Sequence, residues 1–219
     1  MNIKSFFTTS EGKIFILGVL LFIVFLVSII STYAFSSEEA NNLIIMSVTN
    51  FFFGRAAGIS YGYTVELSDS IIIFMNILIE FILVLIIYPL FVLSWNKSLE
   101  IGMLNNFFTS VKVQRLRYKD FFEKYGRYGL FLFVWFPFWM TGPVIGAIIG
   151  FLIGIKHTHT ILIVLSGTSL AIVIWTFFLK ELIDVLNQLS ANAPYILLAL
   201  LVLVTIIVKV LKSKKNKDE

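Results

Sequence analysis

Apolar residues in this chain come in long runs rather than in alternation. Ile14–Phe35, Ile71–Trp95, Ile161–Leu179 and Tyr195–Leu211 each fit a helix crossing a hydrocarbon core, which takes roughly 17–25 residues. Two further stretches are hydrophobic but broken. Asn42–Val65 is interrupted by Gly54-Arg55-Ala56-Ala57-Gly58 and again at Gly62, and Gly129–Ile155 carries Pro137 and then Thr141-Gly142-Pro143 in its middle. Lipid cannot satisfy backbone groups freed by such residues, so these segments must be buried in protein or line a wet cavity. The pattern predicts an all-α integral membrane protein.

Charge decides how the broken segments run. Residues 97–127 hold seven basic and three acidic residues, and the tail from Lys209 holds five lysines against two acids, so both belong on the cytoplasmic side. Six crossings would put the 97–127 loop opposite the tail, and five would split the N-terminus from the tail. If both segments are re-entrant, the N-terminus, residues 97–127 and the tail are all inside, and Ser36-Ser37-Glu38-Glu39 is outside. The expectation is one membrane domain over residues 1–219. It has about four transmembrane helices plus two oppositely oriented re-entrant helical hairpins, 42–65 and 129–155. No linear sequence repeat accompanies this inverted repeat. Broken helices in corresponding halves point to a transporter's midplane site. Between the halves, Leu104, Phe107, Phe108 and Phe121 interleave with Lys112, Arg115, Arg117 and Lys119, as in an amphipathic connector on the anionic inner leaflet.

Composition excludes other classes. With 58% apolar and 14% charged residues and a mean hydropathy of +0.94, no soluble domain fits, and nucleic acid would find only short loops to bind. Absence of cysteine removes disulfides and thiolate metal sites. Lys4 and Lys13 precede Ile14–Phe35 in the manner of a signal peptide. That run is longer than the roughly 7–15 residues of a signal core and lacks an A-x-A close, so it reads as a retained span.

Candidate chemistry concentrates in the broken segments. Thr141 can N-cap a helix whose first turn holds Pro143, and its free N–H groups would favour a phosphate or carboxylate. Thr141, Gly142 and Pro143 are therefore candidate substrate-binding residues. Gly142, Gly146, Gly150 and Gly154 recur every fourth residue, and the last three are expected to pack against a neighbouring helix. Arg55 is the only charge in Asn42–Val65 and is a candidate for an anionic headgroup, the alternative being that it snorkels to the interface. Glu80 shares a helix face with Asn76 and is a candidate proton carrier or an ion-pair partner of Arg55. Glu66 and Asp69, at the outer mouth, are further carrier candidates, with helix capping as the plainer role. His157 and His159 read as a solvated turn, since two ligands make no metal site, and Trp95 reads as part of an interfacial belt. G-x-S-x-G, H-E-x-x-H and G-x-x-x-x-G-K-[ST] are all missing, so no enzyme, metal or cofactor is expected.

The run Phe121-Phe122-Glu123-Lys124-Tyr125-Gly126-Arg127-Tyr128-Gly129-Leu130-Phe131, followed by Pro137-Phe138-Trp139-Met140-Thr141-Gly142-Pro143, resembles bacterial proteins called putative small multidrug export proteins. That family is grouped with the DedA and VTT-domain superfamily, and the resemblance covers about residues 42–180. Where the family shows P-x-P-G-T-G, this chain has Trp139 and Met140 in place of the second proline and first glycine. In the first hairpin Arg55 is kept, but the family's acidic residue two positions earlier is Phe53, so Glu80 or Glu66 would have to substitute for it. Trp135 and Met140 stand where DedA proteins carry arginines.

The resemblance implies translocation of lipids, including a polyprenyl phosphate, across the bacterial inner membrane, with both termini cytoplasmic. The expected partners are membrane lipids and an anionic headgroup or amphiphilic substrate, with no nucleic acid; a homo-oligomer stays open. The rival readings are a small multidrug exporter, a non-transporting scaffold that binds lipid through residues 97–127, and an intramembrane enzyme.

Overall fold

The computed structural model describes residues 9–95, 126–135, 142–189 and 192–215, and among them helix is the only regular structure. The helices are α1 (Ser10–Phe35), α2 (Ser37–Phe53), α3 (Arg55–Thr64), α4 (Asp69–Trp95), α5 (126–135), α6 (Gly142–Leu152), α7 (His157–Leu189) and α8 (Ala193–Lys215). Three are long and apolar enough to cross a membrane: α1, α4 and the His157–Val185 part of α7. The fourth expected span lies in α8, whose stretch Tyr195–Val204 counts among the shorter apolar helices. The 97–127 connector, apart from its last two residues, and Thr141 lie outside the described residues.

Local chemistry explains where the helices break. Ser36 caps α2 by accepting the Glu39 N–H at 3.2 Å. Gly54 ends α2 and starts α3 with φ 88 and ψ 171, a region that side chains bar to other residues. Its N–H donates to the Asn50 carbonyl (2.7 Å) while its own carbonyl accepts from Gly58 (3.1 Å), so the turn takes a single residue. At about 1.5 Å per residue, α3 with its 10 residues rises about 15 Å and α6 with its 11 about 16 Å. Each is about half a hydrocarbon core.

The chain folds as two compact units. One comprises Ile29–Ile79 with Ile172–Glu219, the other Met1–Ser28 with Glu80–Ala171. In the first, α2 and α3 lie antiparallel around Gly54, and glycine sets how closely they approach. A side chain at Gly58 would stand 2.8 Å from Asn50 Cβ and 3.2 Å from its Cα, and one at Gly62 would stand 3.1 Å from Met46 Sδ and 2.7 Å from Ile72 Cγ1. α3 packs on α8 as well.

In the second unit, α5 and α6 form a like hairpin. A side chain at Gly146 would collide with Val134, and one at Gly150 would lie 3.0 Å from Leu130 and 2.5 Å from Thr160 Cγ2. Leu85, Tyr88 and Phe91 of α4 and Ile148 of α6 are buried in the core that this hairpin closes. Gly18 lets α1 come down on Leu85 and Ile86 of α4.

A repeat that the sequence did not advertise follows from these contacts. Gly54, Gly58, Gly62, Asp69 and Ile72 recur 88 residues later as Gly142, Gly146, Gly150, His157 and Thr160. Each hairpin is thus followed by a long helix in the same register. Gly154 departs from the packing role expected of it: nothing lies within 4 Å of where its side chain would be, and its φ of +83 ends α6.

Candidate functional site

Arg55 is the first residue of α3 and is only 4% exposed, so its guanidinium is enclosed by protein rather than laid along the surface. Nearby in the same unit a polar seam runs through the hairpin. Asn50 Nδ2 donates to Asn76 Oδ1 at 2.7 Å, and Asn76 Nδ2 donates to the Ile72 carbonyl at 2.7 Å; both side chains are buried. The hydroxyls of Ser60 and Thr176 are buried with no hydrogen-bond partner among the described residues, an unusual state for an interior polar atom. This interior is not a plain hydrocarbon filling.

The three carboxylates proposed as proton carriers occupy different settings. Glu80 is buried and lies one turn past Asn76 on α4. Asp69 begins α4 and accepts from Lys180 Nζ at 2.6 Å and from the Tyr63 hydroxyl at 3.2 Å, while Tyr63 also reaches the Thr176 carbonyl at 3.2 Å. That set ties α3, α4 and α7 together. Glu66 is exposed and has φ 57. Leu67 N–H donates to the Gly62 carbonyl (3.0 Å) and Glu66 N–H to that of Tyr63 (3.2 Å), the bonding pattern of a left-handed helix stop. Its backbone, then, has a structural task.

Gly142 and Pro143, the described members of the second candidate group, are buried in the first turn of α6. They sit in the unit opposite in sequence to Arg55, and Gly142 is the repeat partner of Gly54.

Sequence reasoning missed a cluster at the start of α7. His157 is no free turn residue. Its Nδ1 lies 2.7 Å from the Tyr88 hydroxyl of α4, and its Nε2 lies 3.2 Å from Glu11 Oε1 of α1. Phe151 stacks on the ring at 5.8 Å, and Trp95, expected as an interfacial residue, packs against Phe91 and Phe151. An open pocket of about 460 Å³ lies alongside, lined by Ser10, Phe151, Gly154, Lys156, His157 and Thr158 among others. Its partners are far away in sequence, so only the apolar run around Tyr88 and the isolated Glu11 hinted at it. No group of three or more metal-ligating side chains occurs among the described residues.

Residues 55–174 match the family described as putative small multi-drug export protein. No curated protein and no solved structure matches the chain.

Proposed function

We propose a function on the premise that this chain belongs to the putative small multi-drug export protein family and is a multi-pass membrane protein. The chain is read as a transporter that moves an amphiphilic anion, of the polyprenyl-phosphate or phospholipid type, between leaflets of the bacterial inner membrane. Arg55 is the observation that carries this reading. A guanidinium enclosed by protein at membrane depth is costly, and such charges mark substrate paths.

Supporting features converge on the same chemistry. α3 and α6 are too short to cross the core, so re-entrant hairpins would bring the helix starts at Arg55 and Gly142 to mid-membrane. Their positive dipole ends would add to the attraction for phosphate. Thr141 and Pro143 would flank the second of these starts, and Glu80, buried on α4, would carry a coupling proton. Placement in the DedA and VTT-domain superfamily belongs to the same proposal. The family's description favours a second reading, export of small amphiphilic drugs, in which buried Glu80 would meet a cationic substrate.

Purified protein in liposomes tests both. Fluorescent phospholipids with anionic or zwitterionic headgroups are followed by chemical quenching of the outer leaflet, and a cationic dye is followed in parallel. The anionic lipid should move fastest. Arg55→Ala should slow it at least tenfold with an unchanged unfolding midpoint, and Arg55→Lys should retain part of the rate. Wild-type flux in Arg55→Ala would sink the headgroup role, and movement of the dye alone would establish drug export.

A further inference from the structure

The strongest unclaimed chemistry is the chain Glu11–His157–Tyr88, which lies within one compact unit and joins the starts of α1 and α7 to the C-terminal third of α4. Tyr88 is fully buried, whereas the side chains of His157 and Glu11 are 29% and 19% exposed. The imidazole therefore stands between an open pocket and a hydroxyl inside the core.

Hydrogen-bond inventory makes this arrangement two-state. An ionised Glu11 only accepts, so Nε2 keeps its hydrogen whatever the charge on the ring. In the neutral ring Nδ1 is then a bare acceptor, and the Tyr88 O–H donates to it. When the ring takes a proton, Nδ1 becomes a donor and the Tyr88 oxygen must accept. The Tyr88 proton must then turn to another acceptor. One proton thus reverses a buried hydrogen bond while turning the Glu11 contact into a full ion pair.

We propose that His157 is a proton-binding site of this protein, at which uptake of one proton from the pocket reverses the Tyr88 hydrogen bond and tightens the attachment of α1 to α7. The ligand is the proton itself. Four groups set its occupancy: Glu11 from α1 and Tyr88 from α4 as direct partners, Lys156 in the preceding turn, which lines the same pocket, and His159 two residues on. Phe151 of α6 stacks on the ring and contributes no charge. As a control on transport, the site rests on the function proposed above, but its protonation does not.

The chain contains only two histidines, which makes the test direct. Histidine side-chain nitrogen NMR of the full chain in micelles, from about pH 5 to 8, should show the His157 ring changing its charge state. That resonance should vanish in His157→Gln, and its chemical shift should move in Glu11→Gln, which removes the charge facing Nε2. Flux in liposomes held at equal pH on both sides should vary over this range in wild type and in His159→Gln and become flat in His157→Gln. A His157 resonance that keeps one charge state throughout, or that is unmoved in Glu11→Gln, overturns the site. Unaltered pH dependence of flux in His157→Gln overturns its control of transport. If no substrate moves at any pH, the transporter reading fails instead, and the NMR titration alone decides the proton site.

Discussion

Gly62 and Gly150 hold the same place in two hairpins. Each accepts a hydrogen bond at 3.0 Å from a residue five positions on, Leu67 and Ile155, and each lies under a residue ten positions on, Ile72 and Thr160. One supersecondary unit, hairpin followed by long helix, is thus used twice with an 88-residue spacing. The glycines are the points where arms touch each other and the helix that follows.

Gly150→Ala should therefore be costly. The new methyl would stand 2.5 Å from Thr160 Cγ2 and 3.0 Å from Leu130, in a packed region with little room to yield. A loss of about 1–3 kcal/mol is expected from such overpacking, read as a lower unfolding midpoint in detergent. Adding Thr160→Ser removes the nearer methyl and should restore part of it. An unchanged midpoint in Gly150→Ala would mean the arms are not this close.

Glu66 and Gly154 are also repeat partners, and both stop a helix with positive φ, 57 and +83. Only glycine adopts this conformation without steric penalty. Glu66→Gly should raise stability by about 1 kcal/mol and leave transport intact, whereas Gly154→Ala should lower stability by a similar amount despite open space around it. Thermal unfolding reads the first effect and liposome flux the second. Lost flux in a stabilised Glu66→Gly protein would return Glu66 to the proton carriers.

The buried pair Asn50–Asn76 invites a double-mutant cycle. Asn76→Leu leaves the Asn50 amide buried without its acceptor, which should cost about 1–3 kcal/mol. The double change Asn50→Leu with Asn76→Leu should cost less than the sum of the singles, with a coupling of about 0.6–1.7 kcal/mol, as for polar contacts between membrane helices. Additive losses would show that the two amides do not depend on each other.

Much of this architecture was legible because lipid-compatible helices must be long apolar runs, and because glycine is the residue that breaks or pinches them. Ile71–Trp95 and the breaks at Gly54 and Gly142 announced α4 and the hairpins. The repeat stayed hidden for a physical reason. Apolar side chains substitute freely on such helices, so only the glycine register survives, and a longer connection between α5 and α6 shifts the first arm by four positions, matching Asn50 to Val134 and Met46 to Leu130. His157 was misread because its partners lie far along the chain on other helices. Only folding brings Glu11 and Tyr88 to it.

Membrane topology gives the final prediction, and the lack of native cysteine makes it simple to test. If α2 enters the bilayer and α3 returns from its interior, Ser36 before the hairpin and Ser68 after it must lie on one side. α4, with 27 residues and a rise of about 40 Å, then crosses. The α5–α6 hairpin should likewise return to the side it left, placing Thr158 opposite Ser68, and α7 should cross again to bring Asn192 back. Single cysteines at Ser36, Ser68 and Asn192 should react with an impermeant thiol reagent in intact cells, and one at Thr158 only after the membrane is opened. Protection at Ser68 with labelling at Ser36 would make α2–α3 a crossing segment. The helix start at Arg55 would then not come from a re-entrant hairpin, and the transport reading built on it would fall.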